Sequence, residues 1–266
     1  MSSGPLVSVI MGVYNCEKEI EQCISSIQKQ TYKNWELIIC DDCSTDYTFE
    51  IVRSIANGDS RINIIKNEKN RKLAYSLNQC LKYAKGKYIA RMDADDIALP
   101  FRIEKQVVFL NEHPEYAVVG SGLIPFDEFN ESKPRIPKEE PKVLDMLKDV
   151  PFYHPTIMVR REVYTSLNGY TVSKRTVRGQ DMDLWFRFFA AGYKGYNLQE
   201  ALLKYHESMQ DYNKTGIRIS LRAVQTKLIG FRINDFPIYL YPFALKPVIT
   251  SLIPKKIMYL YHHKKQ

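Results

Sequence analysis

Strand-like and helix-like stretches alternate through the first 120 residues, and this alternation restricts the fold more than any other feature of the chain. Residues 6–13 (LVSVIMGV) form a short apolar run, and Ile20, Cys23, Ile24 and Ile27 follow at helical spacing. Residues 35–40 (WELIIC) predict a second strand, and Phe49, Val52 and Ile55 stripe a helix from Thr45 to Ala56. A third strand follows at 61–66 (RINIIK), then a helix carrying Leu73, Leu77, Leu81 and Ala84. A fourth strand lies at 87–92 (KYIARM), and another helix opens near Pro100, a residue suited to a first turn. A β-α-β alternation of this kind predicts an α/β fold, a Rossmann-like and mostly parallel sheet with helices on both faces.

The second half is less regular. Residues 125–141 are rich in Pro and charge and predict a surface loop, HPTIMV at 154–159 predicts a strand, QDMDLWFRFFAAGY predicts a helix closing at Gly192, and 211–230 predict a further helix. At 266 residues the chain suits one large domain, or a domain with an appendage. The formal net charge of +8 points to a polyanionic partner or an anionic membrane surface. The cations are scattered rather than interleaved with stacking aromatics, which argues against nucleic acid. Five cysteines (Cys16, Cys23, Cys40, Cys43, Cys80) suggest reduced core residues; Cys40-x-x-Cys43 lacks the second ligand pair that structural zinc needs. The first residues read as a strand rather than a signal peptide, and no apolar stretch is long enough to predict a membrane-spanning helix.

In an open α/β sheet, ligands bind at the carboxyl ends of the strands. The polar clusters fall there: Tyr14-Asn15 after the first strand, Asp41-Asp42 after the second, Asp93-Ala94-Asp95-Asp96 after the fourth. On an extended backbone Asp93 and Asp95 point the same way. Two carboxylates so placed repel by about 1 kcal/mol in water and roughly 4 kcal/mol at an effective dielectric near 20. A divalent cation removes that cost, and Mg²⁺ or Mn²⁺ typically binds one or two carboxylates with phosphate oxygens completing the shell. Asp96 has a second reading as the cap of the helix near Pro100. Neither the G-x-G-x-x-G turn of a dinucleotide site nor a P-loop is present, which favours a metal–diphosphate site over a glycine cradle.

Six ordered segments carry a family resemblance: SVIMGVYN, DDCSTD, NRKLAYSLNQCL, YIARMDADD with LPFRIEKQ, HPTIMVRREV and QDMDLWFRF. From about residue 5 to 206 the chain resembles the family 2 glycosyltransferases, inverting enzymes of the GT-A fold. The resemblance implies that Tyr14 and its strand hold the nucleotide base, that Asp42 hydrogen-bonds it with Asp41 alongside, and that Asp93-Ala94-Asp95 is the DXD motif with Asp95 the direct metal ligand. It places the catalytic base at Asp181 and makes His154 the start of the sugar and acceptor region. The chain departs from the family pattern at Gln180, where a glutamate is usual, at Lys72, where a glycine is common, and at His206, where an arginine is often found. Lys72 reads as a reach to the diphosphate or as a solvated helix residue; His206 reads as an approach to metal or phosphate or as a structural histidine. Trp185 reads as core, with a place beside the acceptor as the alternative.

The expected reaction is a single inverting displacement by an acceptor hydroxyl on a nucleotide-diphosphate sugar, most often a UDP-sugar, in surface polysaccharide synthesis. Asp181 would take the proton, and Mn²⁺ or Mg²⁺ would neutralise the departing diphosphate. A transferase acting directly on polyprenyl phosphate shares the early motifs, and a non-catalytic scaffold keeping the fold is the other alternative. The expected organisation is a catalytic domain over 1–210, divided near residue 120 into donor and acceptor halves, and a helical C-terminal extension over 211–266. In 236–266 apolar residues alternate with Lys246, Lys255, Lys256, Lys264 and Lys265, which suits an anionic membrane surface; the alternative is packing on the domain or on a second copy in a homodimer. The family's polyprenyl-diphosphate-linked acceptors would place such an enzyme in the cytoplasm, peripheral on the inner face of the cell membrane.

Overall fold

The computed structural model describes residues 4–207 and 216–251. Four strands, β1 (Val7–Val13), β2 (Trp35–Asp41), β3 (Ile62–Lys66) and β4 (Tyr88–Arg91), are joined by helices α1 (Ile20–Gln28), α2 (Thr48–Gly58) and α3 (Leu73–Tyr83). The chain continues through β5 (Ile97–Ala98), α4 (Arg102–Glu112), β6 (Val118–Phe126), β7 (Met158–Arg160), α5 (Arg161–Ser166), α6 (Gln180–Ala190) and β8 (Gly195–His206). Helices α7 (Ile217–Ile233) and α8 (Lys246–Ser251) follow, with the 3₁₀ segment Ile238–Leu245 between them.

All eight strands form one sheet in the order β3-β2-β1-β4-β7-β6-β8-β5. The first half is parallel, as the alternation predicts: β1 pairs with β2 and β4, and β2 with β3. The second half is mixed, because β7 runs antiparallel to both β4 and β6, while β6 and β8 are parallel. Successive side chains of β1 enter opposite cores, as a strand's two-residue period requires. Val7, Val9, Met11 and Val13 pack with α1 and α4, and Ile10 packs with α3, α6 and the C-terminal elements.

Three expectations change in detail. His154–Thr156 is a 3₁₀ turn and the strand starts only at Met158; Pro155 has no N–H to give to a ladder. The stretch 125–141 is not all loop, since β6 runs through Phe126 and the chain folds back so that Leu123 and Arg135 exchange backbone hydrogen bonds at 3.0 and 2.8 Å. Within the C-terminal region Phe231, Phe236 and Ala244 are buried in the same core as α6, so its described part is integral to the molecule. The predicted tail residues 252–266 and the start of the predicted helix at 211–215 lie outside the described residues.

Candidate functional site

The sheet order reverses at β1, whose neighbours β2 and β4 lead away on opposite sides. The carboxyl ends of β1, β2 and β4 therefore open onto one crevice, the place where a doubly wound sheet receives a ligand. Register fixes the details: Val13 lies opposite Asp41, and Ile10 opposite Arg91. Tyr14 and Asn15 leave β1 at the rim, with Tyr14 half exposed. The Asn15 carboxamide oxygen accepts the Thr45 N–H at 2.9 Å, tying the loop after β1 to the loop after β2.

Asp41 and Asp42 are both buried. Asp41 accepts the Ser44 N–H at 3.1 Å and so shapes its own turn, and its Oδ1 is buried with no hydrogen-bond partner. Asp42 holds together the floor of the crevice. Its Oδ1 accepts from Asn67 Nδ2 at 2.8 Å and the Arg71 N–H at 2.7 Å, and its Oδ2 accepts the Lys72 N–H at 2.7 Å. A carboxylate offers about four acceptor positions, so three filled leave one for an incoming N–H. Lys72 itself is exposed and takes φ 71°, ψ 162°, backbone territory that is essentially reserved for glycine.

The DXD segment is not extended. Asp93–Asp96 form a turn closed by the Asp96 N–H on the Asp93 carbonyl at 3.4 Å, and the Asp93 charge still acts on Asp95. Asp93 pairs with Arg91. Asp95 stands out from the turn with its side chain 47% exposed, and desolvation by the surrounding chain together with the Asp93 charge raises it to about 6. Asp96 is fully buried and does not cap α4, which has no side-chain cap; its Oδ1 accepts the His206 N–H at 3.0 Å and joins the turn to the end of β8. The turn rests on α1 through Cys23 Sγ, which donates to the Asp93 carbonyl at 3.1 Å.

Arg91 is the functional residue that the reading of the sequence passed over. It is the last residue of β4, 2% exposed, in a strand that is otherwise apolar. Besides pairing with Asp93, its charge acts to lower the pKa of Asp181, 90 positions further along the chain, although burial, the largest influence, leaves that carboxyl raised overall. Beneath Arg91 lie His154, Tyr164 and Tyr170: His154 Nε2 sits 3.0 Å from the Tyr170 hydroxyl, and the two tyrosine hydroxyls are 2.9 Å apart. Burial and the Arg91 charge hold His154 neutral, well below its usual pKa. A lone arginine in a buried strand run was the available signal, since such a charge persists only where it is paired.

Asp181 sits in the first turn of α6, entered through Gly179 at φ 117°. Its Oδ1 accepts the Met182 N–H at 2.8 Å, and it forms no ion pair with another of the described residues. Asp183 differs: it is clamped by Arg175 at 2.6 Å and Arg187 at 2.8 Å and accepts from Thr171 at 2.6 Å, which commits it to structure. Gln180 Oε1 accepts the Gly179 N–H at 3.2 Å. Trp185 takes the core reading, 1% exposed among Phe152, His154 and Phe188, and His154 is buried against Tyr170 and Trp185. His206 stays at the site, with Nδ1 3.8 Å from Asp95 Oδ2.

Four carboxylates (Asp93, Asp95, Asp96, Asp181) thus share one neighbourhood with two buried guanidinium groups, Arg91 and Arg102. Burial and mutual repulsion push Asp95 and Asp96 up. A divalent cation would relieve that repulsion. Among the described residues no group of three or more His, Cys, Asp or Glu side chains could enclose a metal, so a resident ion would need oxygen from elsewhere. That is the mode of Mg²⁺ and Mn²⁺, which take one or two carboxylates and fill the rest from phosphate and water.

Comparison with known proteins decides the family. Residues 8–167 match the family model described as Glycosyl transferase family 2. The chain belongs to that family. This family 2 glycosyltransferase is 46% identical over 266 residues to a protein of Bacillus subtilis (strain 168) named as the glycosyltransferase EpsE, covering 100% of the chain and 96% of that relative. It is 32% identical over 246 residues to the Escherichia coli UDP-Glc:alpha-D-GlcNAc-diphosphoundecaprenol beta-1,3-glucosyltransferase WfaP, covering 92% and 94% of the two chains. Among solved structures, Staphylococcus aureus TarS 1–349 with UDP-GlcNAc superposes with a TM-score of 0.69 at 18% identity, covering 86% of this chain and 71% of TarS. The mannosyltransferase PcManGT of Pyrobaculum calidifontis, in complex with GDP-Man and Mn2+, gives 0.67 at 20% identity, covering 99% and 81%. At such identities these two likenesses establish the GT-A fold of the glycosyltransferase and nothing finer.

Proposed function

We propose that the protein transfers a sugar from a nucleoside diphosphate donor, a UDP-sugar, to a hydroxyl of a lipid-linked glycan with inversion at the anomeric carbon. The observation that carries this reading is that the Arg91 charge acts on both Asp95 and Asp181: a donor-side carboxylate and a half-buried carboxylate, with no ion pair to another of the described residues, share one electrostatic neighbourhood from positions far apart in the sequence.

The base lies against Tyr14 at the rim, and the one free acceptor position of Asp42 receives its N–H. Asp95 is the residue that would hold a divalent cation, with Asp93 next to it in the turn and paired with Arg91; when bound, the cation would supply charge neutralisation to the diphosphate leaving group. Asp181 accepts the proton of the acceptor hydroxyl. A carboxylate raised by burial is a stronger base than an exposed aspartate, which is what general-base catalysis asks of it. Asp183 cannot take that role while two arginines hold it. The relative WfaP, whose name specifies a diphosphoundecaprenol-linked sugar, supports this acceptor class. With an acceptor of that chemistry the enzyme would work on the inner membrane face as a peripheral protein. No helix among the described residues is long and apolar enough to cross a membrane.

The test is Asp181→Asn. Transfer should fall by about 10²–10⁴-fold while nucleotide diphosphate binding, read by calorimetry, stays unchanged. Wild-type transfer rates in that variant would remove Asp181 from the mechanism.

A further inference from the structure

We propose that the exposed side of α7, continued by the 3₁₀ segment Ile238–Leu245, is a docking surface for an anionic lipid bilayer that brings the Asp181 end of α6 to the headgroup layer. This deepens, and rests on, the reading of a lipid-linked acceptor given above. It also shifts the membrane contact toward the catalytic helix, away from the far tail.

Two observations carry it. First, the apolar exposure is concentrated. Leu221 and Leu228, seven residues apart on one helix face, are 51% and 38% exposed, and Ile238 and Tyr239 at the start of the 3₁₀ segment are 84% and 73% exposed. Side chains of this size left in water together on one element mark an interaction surface. Second, the charge there has one sign. The exposed side of α7 carries Arg218, Arg222 and Arg232 and no acid, Lys227 being buried, and Asp235 is the single acidic residue between 216 and 251. A basic amphipathic helix is suited to lie in a bilayer interface, with its apolar side at the acyl boundary and its cations among anionic headgroups. A second copy of this chain fits less well, because a self-complementary interface would set three arginines against three with Asp235 as the single acid on each side.

Its position relative to the active site gives the surface a purpose. Helix α7 packs along α6 and against the turn Lys174–Thr176, where Arg175 bonds Thr226 of α7 at 3.4 Å and Asp183 of α6 at 2.6 Å. Asp181 is two residues from Asp183. A glycan whose diphosphate stays in the headgroup layer would therefore present its hydroxyl to a base held close to that layer.

The experiment uses the full chain, purified, with phosphatidylcholine vesicles with and without phosphatidylglycerol, at low and high salt. Binding should be about tenfold stronger to the anionic vesicles and should weaken with salt. The double variant Leu221→Glu with Leu228→Glu should lose at least about tenfold of that binding. Mn²⁺-dependent thermal stabilisation by UDP should be unchanged in the variant, which separates failure of this surface from failure of the donor site. Equal pelleting of variant and wild type, equal pelleting on both vesicle types, or a doubling of mass in light scattering without lipid binding would each overturn the proposal.

Discussion

Asp42 and Lys72 show how much one residue's backbone does for another's side chain. Asp42 is held by N–H groups from Arg71 and Lys72, and Lys72 supplies its N–H only by adopting a conformation suited to glycine. A residue held in that region costs on the order of 1–3 kcal/mol, and glycine would give back part of the gain through the entropy of the unfolded chain. Lys72→Gly should therefore raise stability, by on the order of 1 kcal/mol and a few degrees in Tm. A lower Tm would show that the surroundings accommodate the lysine without strain. At this scale the candidate acids were legible as a group, because Asp41, Asp42, Asp93 and Asp95 stand at the ends of apolar runs. The turn at Asp93–Asp96 was not legible, because a turn closed by one backbone hydrogen bond leaves no mark on composition. Arg91 was hidden for the opposite reason: its pairing with Asp93 lets a charge sit where the pattern reads strand.

Among the elements, α6 does two jobs with two aspartates. Its first turn offers Asp181 to the site, and Asp183 anchors the helix to the turn before it and, through Arg175, to α7. Burial alone would raise Asp183, but the Thr171 hydroxyl and the Arg187 and Arg175 guanidinium groups outweigh it and hold the carboxyl below its ordinary range. With the folded pKa below the unfolded one, this contribution is fully present above the unfolded value of about 3.9 and is lost as pH falls through the folded value. Removing one member of a buried ion cluster typically costs about 3–5 kcal/mol. Asp183→Asn should therefore lower stability at pH 7 by that order in denaturant unfolding, and should flatten the acid side of the stability profile. A variant as stable as wild type at pH 7 would contradict the anchoring role. The elements easiest to read were β1 to β4 and α1 to α4, where periodicity is clean. Strand β8 was not read, because its twelve residues mix Asn, Gln, Glu and Lys with apolar ones and carry a bulge against β6.

For the molecule as a whole, the parallel half follows from local pattern, since each βα unit covers the sheet beside it. The antiparallel insertion of β7 between β4 and β6 does not, because Tyr88 pairs with Arg160 and Val118 with Val159 across long stretches of chain. That insertion makes the site: it runs β7 beside the strand that ends at Arg91, and the chain beyond it returns as α6 with Asp181. The family assignment fixes glycosyl transfer as the chemistry. The division of labour between a cation held at Asp95 and a proton taken by Asp181 is the account's central claim. The most direct measurement is release of nucleotide diphosphate from a panel of sugar nucleotides with a diphosphoundecaprenol-linked acceptor, with Mn²⁺ or with chelator, for wild type and Asp95→Asn. The account predicts acceptor-dependent release by wild type with Mn²⁺, and its loss by at least about 10²-fold both on chelation and in Asp95→Asn. Undiminished release in chelator, or in Asp95→Asn with Mn²⁺, would contradict it.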